Sequence, residues 1–224
     1  ATGCLAAQNP GTDAEAQNSR QMTSDKTVEI DGRQYNTDQV LARLYEQNRS
    51  LKSYQADIWY LYRQDPELID SRTIRKGRLW YKRNNGSRLR IGFDQVKYDD
   101  EEFRKRREEY IFDGVWLKVI DFQNETINLY QKAPEGKPVD AFDLINRDLP
   151  MVGFTKKLDL RKHFDIELMD QTQTDDPNTI GLNMDVKKGS RYEGDYQNIK
   201  VFVDKEKFLP SRLVTVSIEG DIYV

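Results

Sequence analysis

The chain contains one thiol and one imidazole, Cys4 in "ATGCL" and His163 in "RKHFDIEL". A thiolate can attack an acyl carbon, and an imidazole can move protons near neutral pH. Neither is accompanied by a recognisable nucleophile elbow, so a triad built on His163 has no nucleophile that the sequence locates. The plainer reading of His163 is a hydrogen-bonded histidine in a strand. Carboxylates gather in "YDDEE" (98–102) and "TDDP" (174–177). They lack the Asp/Asn spacing and central glycine of a calcium loop, and no Cys/His cluster suits zinc. They read as solvated loops. No phosphate-cradling glycine motif occurs. The expectation is a protein that is not an enzyme and needs no metal or cofactor.

Composition narrows the partners. Thirty-five lysines and arginines face 38 aspartates and glutamates, a net charge of -3. That balance argues against a nucleic-acid binder, which carries a basic excess. Charged residues make up 33% of the chain, and no run is apolar enough for a helical membrane span. "FRKRREEY" (103–110) is basic but flanked by acidic residues, so surface charge that neutralises itself is the default and contact with an anionic headgroup or partner the alternative. With one cysteine no internal disulfide forms. Cys4 follows a short Ala/Thr/Gly run, as at the lipobox where bacterial lipoproteins are cleaved and acylated. Cys4 is therefore a candidate lipidation site, or an ordinary thiol in a leader; residues 5–27 are small, polar and aperiodic, and read as a tether.

Binding chemistry is better represented than reaction chemistry. "GRLWYKRNNGSRLRIGF" (77–93) places Trp80, Tyr81 and Phe93 among Arg78, Lys82, Arg83, Arg88 and Arg90. Asn85-Gly86 is a two-residue turn signal. It sets Trp80 opposite Ile91, Tyr81 opposite Arg90, Lys82 opposite Leu89 and Arg83 opposite Arg88. Trp80, Leu89, Ile91 and Phe93 then make an apolar face, and Leu79, Tyr81, Arg83, Arg88 and Arg90 the other. A hairpin with something to bury on both sides suits a curved wall.

The elements that must hold this hairpin follow from periodicity. "VEIDGRQYN" (28–36) reads as a short hairpin about Asp31-Gly32. In 37–53, Val40, Leu41, Leu44, Tyr45, Asn48 and Leu51 fall at helical spacing, with Thr37 or Asp38 as cap. "YQADIWYLYRQ" (54–64) alternates, with Tyr54, Ala56, Ile58, Tyr60 and Tyr62 on one face and Trp59 and Leu61 on the other. Residues 108–121 turn at Asp113-Gly114, 125–133 add a strand, and 138–150 read as a short helix closed by Pro150. Further strands follow in meander order to Val224. That last strand would leave an open edge, so either the natural chain continues or the domain ends there.

"SLKSYQADI", "GRLWYKR", "YIFDGVWLKVI", "AFDLI" and "FLPSRLVTVS", in that order, resemble the outer-membrane lipoprotein carrier family (LolA-like, with lipid-anchored LolB-like receptor relatives). The resemblance covers residues 37–224, with 1–36 as tail. It implies an α+β fold: an incomplete antiparallel β-barrel, a curved sheet with helices forming a lid over an apolar cavity for acyl chains. It also implies that Arg83, which follows Trp-x-Lys, latches the lid closed; Asn84 stands where the family has proline, and the loop is longer.

Burial of acyl chains gains about 0.8 kcal/mol per methylene, so carriage through water needs an apolar bed rather than reactive groups. Ile58, Tyr60, Trp80, Leu89, Ile91 and Phe93 are the candidate lipid-binding residues, or else they fill a solid core. The resulting expectation is non-enzymatic binding and transfer of lipid or acylated lipoprotein in the periplasm of a bacterial envelope, with peripheral or lipid-anchored membrane association. Its rival is an envelope sensor or protein-interaction domain on the same scaffold, with a protein partner instead of acyl chains.

Overall fold

The Asp31-Gly32 turn closes where the sequence places it. Both residues adopt left-handed backbone, φ 51° and 72°, and join β1 (Thr27–Ile30) to β2 (Arg33–Asn36). The structure, a computed structural model, describes residues 26–84, 86–141 and 157–224. Cys4, Asn85 and most of the expected helix over 138–150 lie outside the described residues. Residues 27–36, placed above at the end of the tail, are part of the ordered fold: Ile30 is buried in the core.

Helix α1 (Thr37–Ser50) follows at once. Its cap is Asn36 rather than Thr37 or Asp38. The Asn36 side chain accepts from the Gln39 backbone N–H, while the Gln39 side chain accepts from the Asn36 backbone N–H. This reciprocal pair satisfies two donors at the helix start. Asp38 is thereby left to pair with Arg161.

The remaining described strands are β3 (Ser53–Arg63), β4 (Arg72–Arg83), β5 (Ser87–Tyr98), β6 (Arg104–Phe112), β7 (Trp116–Asp121), β8 (Thr126–Gln131), β9 (Phe164–Leu168), β10 (Thr179–Val186), β11 (Tyr196–Asp204), β12 (Pro210–Ser217) and β13 (Ile222–Tyr223). A short helix α2 (Lys157–His163) precedes β9. His163 is its last residue, so it ends a helix instead of lying in a strand; α2 is too brief for its periodicity to announce it. The eleven strands from β3 onward form one antiparallel sheet in the order β8-β7-β6-β5-β4-β3-β13-β12-β11-β10-β9. Its ends, β8 and β9, do not pair, so the fold is an incomplete barrel. The expected open edge at the last strand is corrected: β13 pairs with both β12 and β3 and joins the two halves of the sheet.

The β4–β5 hairpin departs from the expected register. Arg83 pairs with Ser87, Tyr81 with Leu89, Trp80 with Arg90 and Leu79 with Ile91. Three residues, 84–86, make the connection instead of two. Because strand side chains alternate with period two, this slip of one residue exchanges the faces of one strand relative to the other. Leu79 and Tyr81 therefore share a face with Leu89, Ile91 and Phe93, and Trp80 lies on the opposite side.

Two buried clusters result. The first joins Val40, Leu41 and Leu44 of α1 to Phe164, Ile166, Leu182, Met184, Ile199 and Val201 on β9–β11. The second unites Leu79, Tyr81, Leu89, Ile91, Phe93, Phe112 and Leu117 on β4–β7 with Ala141. Helix α1 covers the first directly. The second has a half-buried margin of Tyr54, Ile58, Tyr60, Tyr110 and Val119.

Candidate functional site

The concave side of β3–β7 gathers five of the six candidate lipid-contacting residues. Leu89, Ile91 and Phe93 are buried at its centre, and Ile58 and Tyr60 are half-buried at its margin. The Phe93 ring lies 6.2 Å from Tyr60 and 6.1 Å edge-on to Tyr110. Burial pushes the Tyr60 hydroxyl up to about 12. These rings make an apolar bed whose floor is packed and whose rim is partly open.

Trp80 does not belong to it. On the convex face its ring lies over Gly92, with the Arg90 guanidinium 5.0 Å from the ring centre. Arg90 and Arg107 both donate to Glu109, at 2.8 and 2.7 Å. Burial opposes charge on Glu109, but these two hydrogen bonds outweigh it and hold the carboxyl below its ordinary value. The basic "FRKRREEY" segment thus neutralises itself, since Arg106 also pairs with Glu108 and Asp121. The side of the hairpin opposite the bed is thus occupied by a tryptophan–arginine–glutamate network rather than by an apolar face.

Arg83 occupies the junction of three elements. One terminal nitrogen donates to the carbonyls of Asn48 and Arg49 at 3.2 and 3.0 Å; the other donates to Asp140 Oδ2 at 3.0 Å. Its backbone N–H donates to the Lys52 carbonyl. The unpaired carbonyls at a helix C-terminus carry partial negative charge, which a guanidinium offsets. Arg83 therefore ties the end of α1 to β4 and to the 138–141 segment. That segment is itself held by the Val139 N–H on the Gly114 carbonyl and by the Ala141 N–H on Ser87 Oγ.

No protein-family model matches the sequence, and no curated protein matches it. Among solved structures the chain resembles the MucA/MucB complex of Pseudomonas aeruginosa, with a TM-score of 0.44 and 12% identity. The match covers 83% of this chain and 54% of that one, so this chain spans about half the length of the chain it matches. It also resembles a domain from Vibrio parahaemolyticus described as an outer membrane lipoprotein-sorting protein (TM-score 0.40, 10% identity, 82% and 72% of the two chains). A third is a DUF1329 family protein from Desulfovibrio piger (TM-score 0.39, 14% identity, 82% and 73%). What this protein binds has to be read from its own side chains.

Of the side chains that matter most, Asp140 and Arg75 are not singled out by the sequence, and Asn48 is named there only as a member of the α1 stripe. Asp140 receives Arg83 across 57 residues of chain. Arg75 lies beside Tyr60 on the concave face. Asn48 completes the inner stripe of α1 but is 4% exposed, and neither its amide nitrogen nor its amide oxygen has a hydrogen-bond partner. An unmatched buried polar group costs about 1–3 kcal/mol. Asn48→Leu, which keeps the branching of the side chain and removes both unmatched polar atoms, is expected to stabilise the protein by about 1 kcal/mol, read as a higher urea midpoint at unchanged slope. A lower midpoint would mean that the amide has a role in the folded state that its surroundings do not reveal.

His163 Nδ1 lies 3.4 Å from Ser190 Oγ, and its ring meets Tyr192 edge-on at 5.5 Å. Ser190 Oγ also accepts the Tyr192 N–H, which fits a structural role. Among the described residues no three His, Cys, Asp or Glu side chains cluster as metal ligands, and no helix is long and apolar enough to cross a membrane. Two surface clefts lie away from the apolar bed. One is beside Arg88, Asp113 and Pro138; the other is between β1 and β10, near Asp170 and Lys205.

Proposed function

We propose that the protein binds acyl chains of lipid or lipoprotein on the concave side of β3–β7 and passes them on without chemical change, outside the cytoplasm of a bacterial cell. The observation that carries this reading is the kind of closure the bed has. An apolar face with a half-buried aromatic margin is held under the end of α1 by one arginine and its three acceptors. Apolar packing alone would close such a face permanently, whereas a polar latch exchanges its bonds for water at small net cost. Displacing the 138–141 segment or the end of α1 would uncover Phe93, Ile91 and Leu89 to an acyl chain, and each buried methylene would then contribute about 0.8 kcal/mol.

Native mass spectrometry of protein purified without detergent is expected to show bound acyl lipid that added fatty acid displaces. Protein that carries none, and takes up none when loaded, would overturn the proposal. A second reading is favoured by β8, which pairs with β7 alone among the described residues and whose six residues are all exposed, with Ile127 at 63% and Leu129 at 59%. An open, apolar edge can receive a partner strand. That reading, a partner-binding domain without lipid carriage, expects the opposite result in the same experiment.

A further inference from the structure

The apolar bed contains one cation whose bonding is incomplete. Arg75 sits on β4 directly opposite Tyr60 of β3, so both project to the concave side. Its neighbours there are the Tyr60 ring, 5.9 Å from the guanidinium, and Glu108, whose nearest oxygen is 3.8 Å away. That distance allows attraction but is too long for a hydrogen bond. The other Glu108 oxygen already accepts from Arg106 at 2.7 Å. The Arg75 Nε is buried without any hydrogen-bond partner, and the side chain as a whole is 29% exposed. Every other arginine on the concave side of β4 is spent. Arg83, eight residues along the same strand, has three acceptors.

Between the two arginines the same face of β4 presents Gly77, Leu79 and Tyr81, backed by Phe93, Ile91 and Leu89. At about 3.3 Å per residue this is an apolar track of about 26 Å with a cation at each end. The Arg83 end is closed by its own bonds, and the Arg75 end offers unused donors beside two tyrosines. A guanidinium with free donors in partly desolvated surroundings binds a carboxylate or phosphate strongly, by charge-assisted bonds.

We infer that Arg75 is the headgroup site of the bed, and that the preferred ligand is an anionic amphiphile: its carboxylate or phosphate meets Arg75 while its tail lies along Phe93, Ile91 and Leu89. This rests on the acyl-binding reading above and adds the chemical class of the ligand's polar end.

The test uses three amphiphiles with one tail length (laurate, dodecyl phosphate and methyl laurate), titrated by calorimetry into the full chain and into Arg75→Met and Arg75→Lys. Laurate or dodecyl phosphate is expected to bind at least tenfold more tightly than the methyl ester, and the stronger of the two identifies the anion. Arg75→Met should remove that advantage and leave methyl laurate unchanged, while Arg75→Lys should retain part of it. Equal affinity of the wild-type protein for the anions and the ester would overturn the inference while leaving acyl binding intact, and so would equal weakening of all three by Arg75→Met. Failure of every amphiphile to bind would overturn both. The comparison within the wild-type protein needs no variant to fold.

Discussion

Gly77→Ala is expected to destabilise the protein by about 3 kcal/mol or more, a large share of the roughly 5–15 kcal/mol by which domains are stable. Gly77 lies where β4 and β5 shift register, opposite Phe93. A Cβ at this position would sit 1.9 Å from the Gly92 carbonyl oxygen and 2.8 Å from both the Gly92 carbonyl carbon and the Phe93 Cα. All three are backbone atoms of a paired strand, so no flexible side chain can give way. The strands would have to part at the centre of the sheet, under Phe93. Gly92→Ala is the control. There a Cβ meets Trp80 ring carbons at 3.5 and 3.9 Å, ordinary contact distances, and the change is expected to cost under about 1 kcal/mol. Urea unfolding of the two variants checks both. If Gly77→Ala unfolds at the wild-type midpoint, the close approach of the two strands is wrong.

The second large effect is expected at Arg83. Arg83→Met removes three charge-assisted hydrogen bonds: two to the carbonyls of Asn48 and Arg49, and one to Asp140. Such bonds contribute about 1.5–3 kcal/mol each when well buried. Arg83 and Asp140 are each about a third exposed, at 33% and 31%, so solvent screening reduces the total to about 2 kcal/mol. The loss should be local. Amide exchange in the last turn of α1 is expected to accelerate about thirtyfold, the equivalent of 2 kcal/mol, with little change at β10 or β11. If Arg83 acts as a latch, acyl ligand should also leave Arg83→Met faster. Arg83→Lys, a single point of charge, should fall between the two. Unchanged exchange in a folded Arg83→Met protein would show that α1 is held by its apolar face alone.

The two variants probe different kinds of information. Gly77 acts through a bulge in β5, where Asp94 stands between the pairs Gly77–Phe93 and Lys76–Gln95. Nothing in a run of alternating residues announces such an insertion. Arg83 was legible as a residue of interest because the "GRLWYKR" segment resembles a carrier family. Its acceptors were not, because they lie 34, 35 and 57 residues away. Arg75 could have been found by parity: counting back by twos from Tyr81 and Leu79 reaches Gly77 and then Arg75, a charged residue on an apolar face. The misplaced hairpin register concealed it.

Local physics alone determined several parts of this protein. Asp31 and Gly32 tolerate left-handed backbone, so their hairpin was readable from two residues. The stripe of α1 and the alternation of β3 were readable because burial on one face imposes its period on the sequence. The acidic residues flanking the basic segment of β6 foretold that it finds its partners within the fold. Tertiary structure alone decided which face of the hairpin is concave, since a single added loop residue moves Trp80 from the bed to the outside. It also decided that β13 joins the two halves of the sheet instead of ending it, because strand neighbours depend on long-range closure and not on order along the chain. The same holds for the bonds of Arg83 and for the missing ones of Arg75: a donor's partners come from other strands, and no local pattern encodes them.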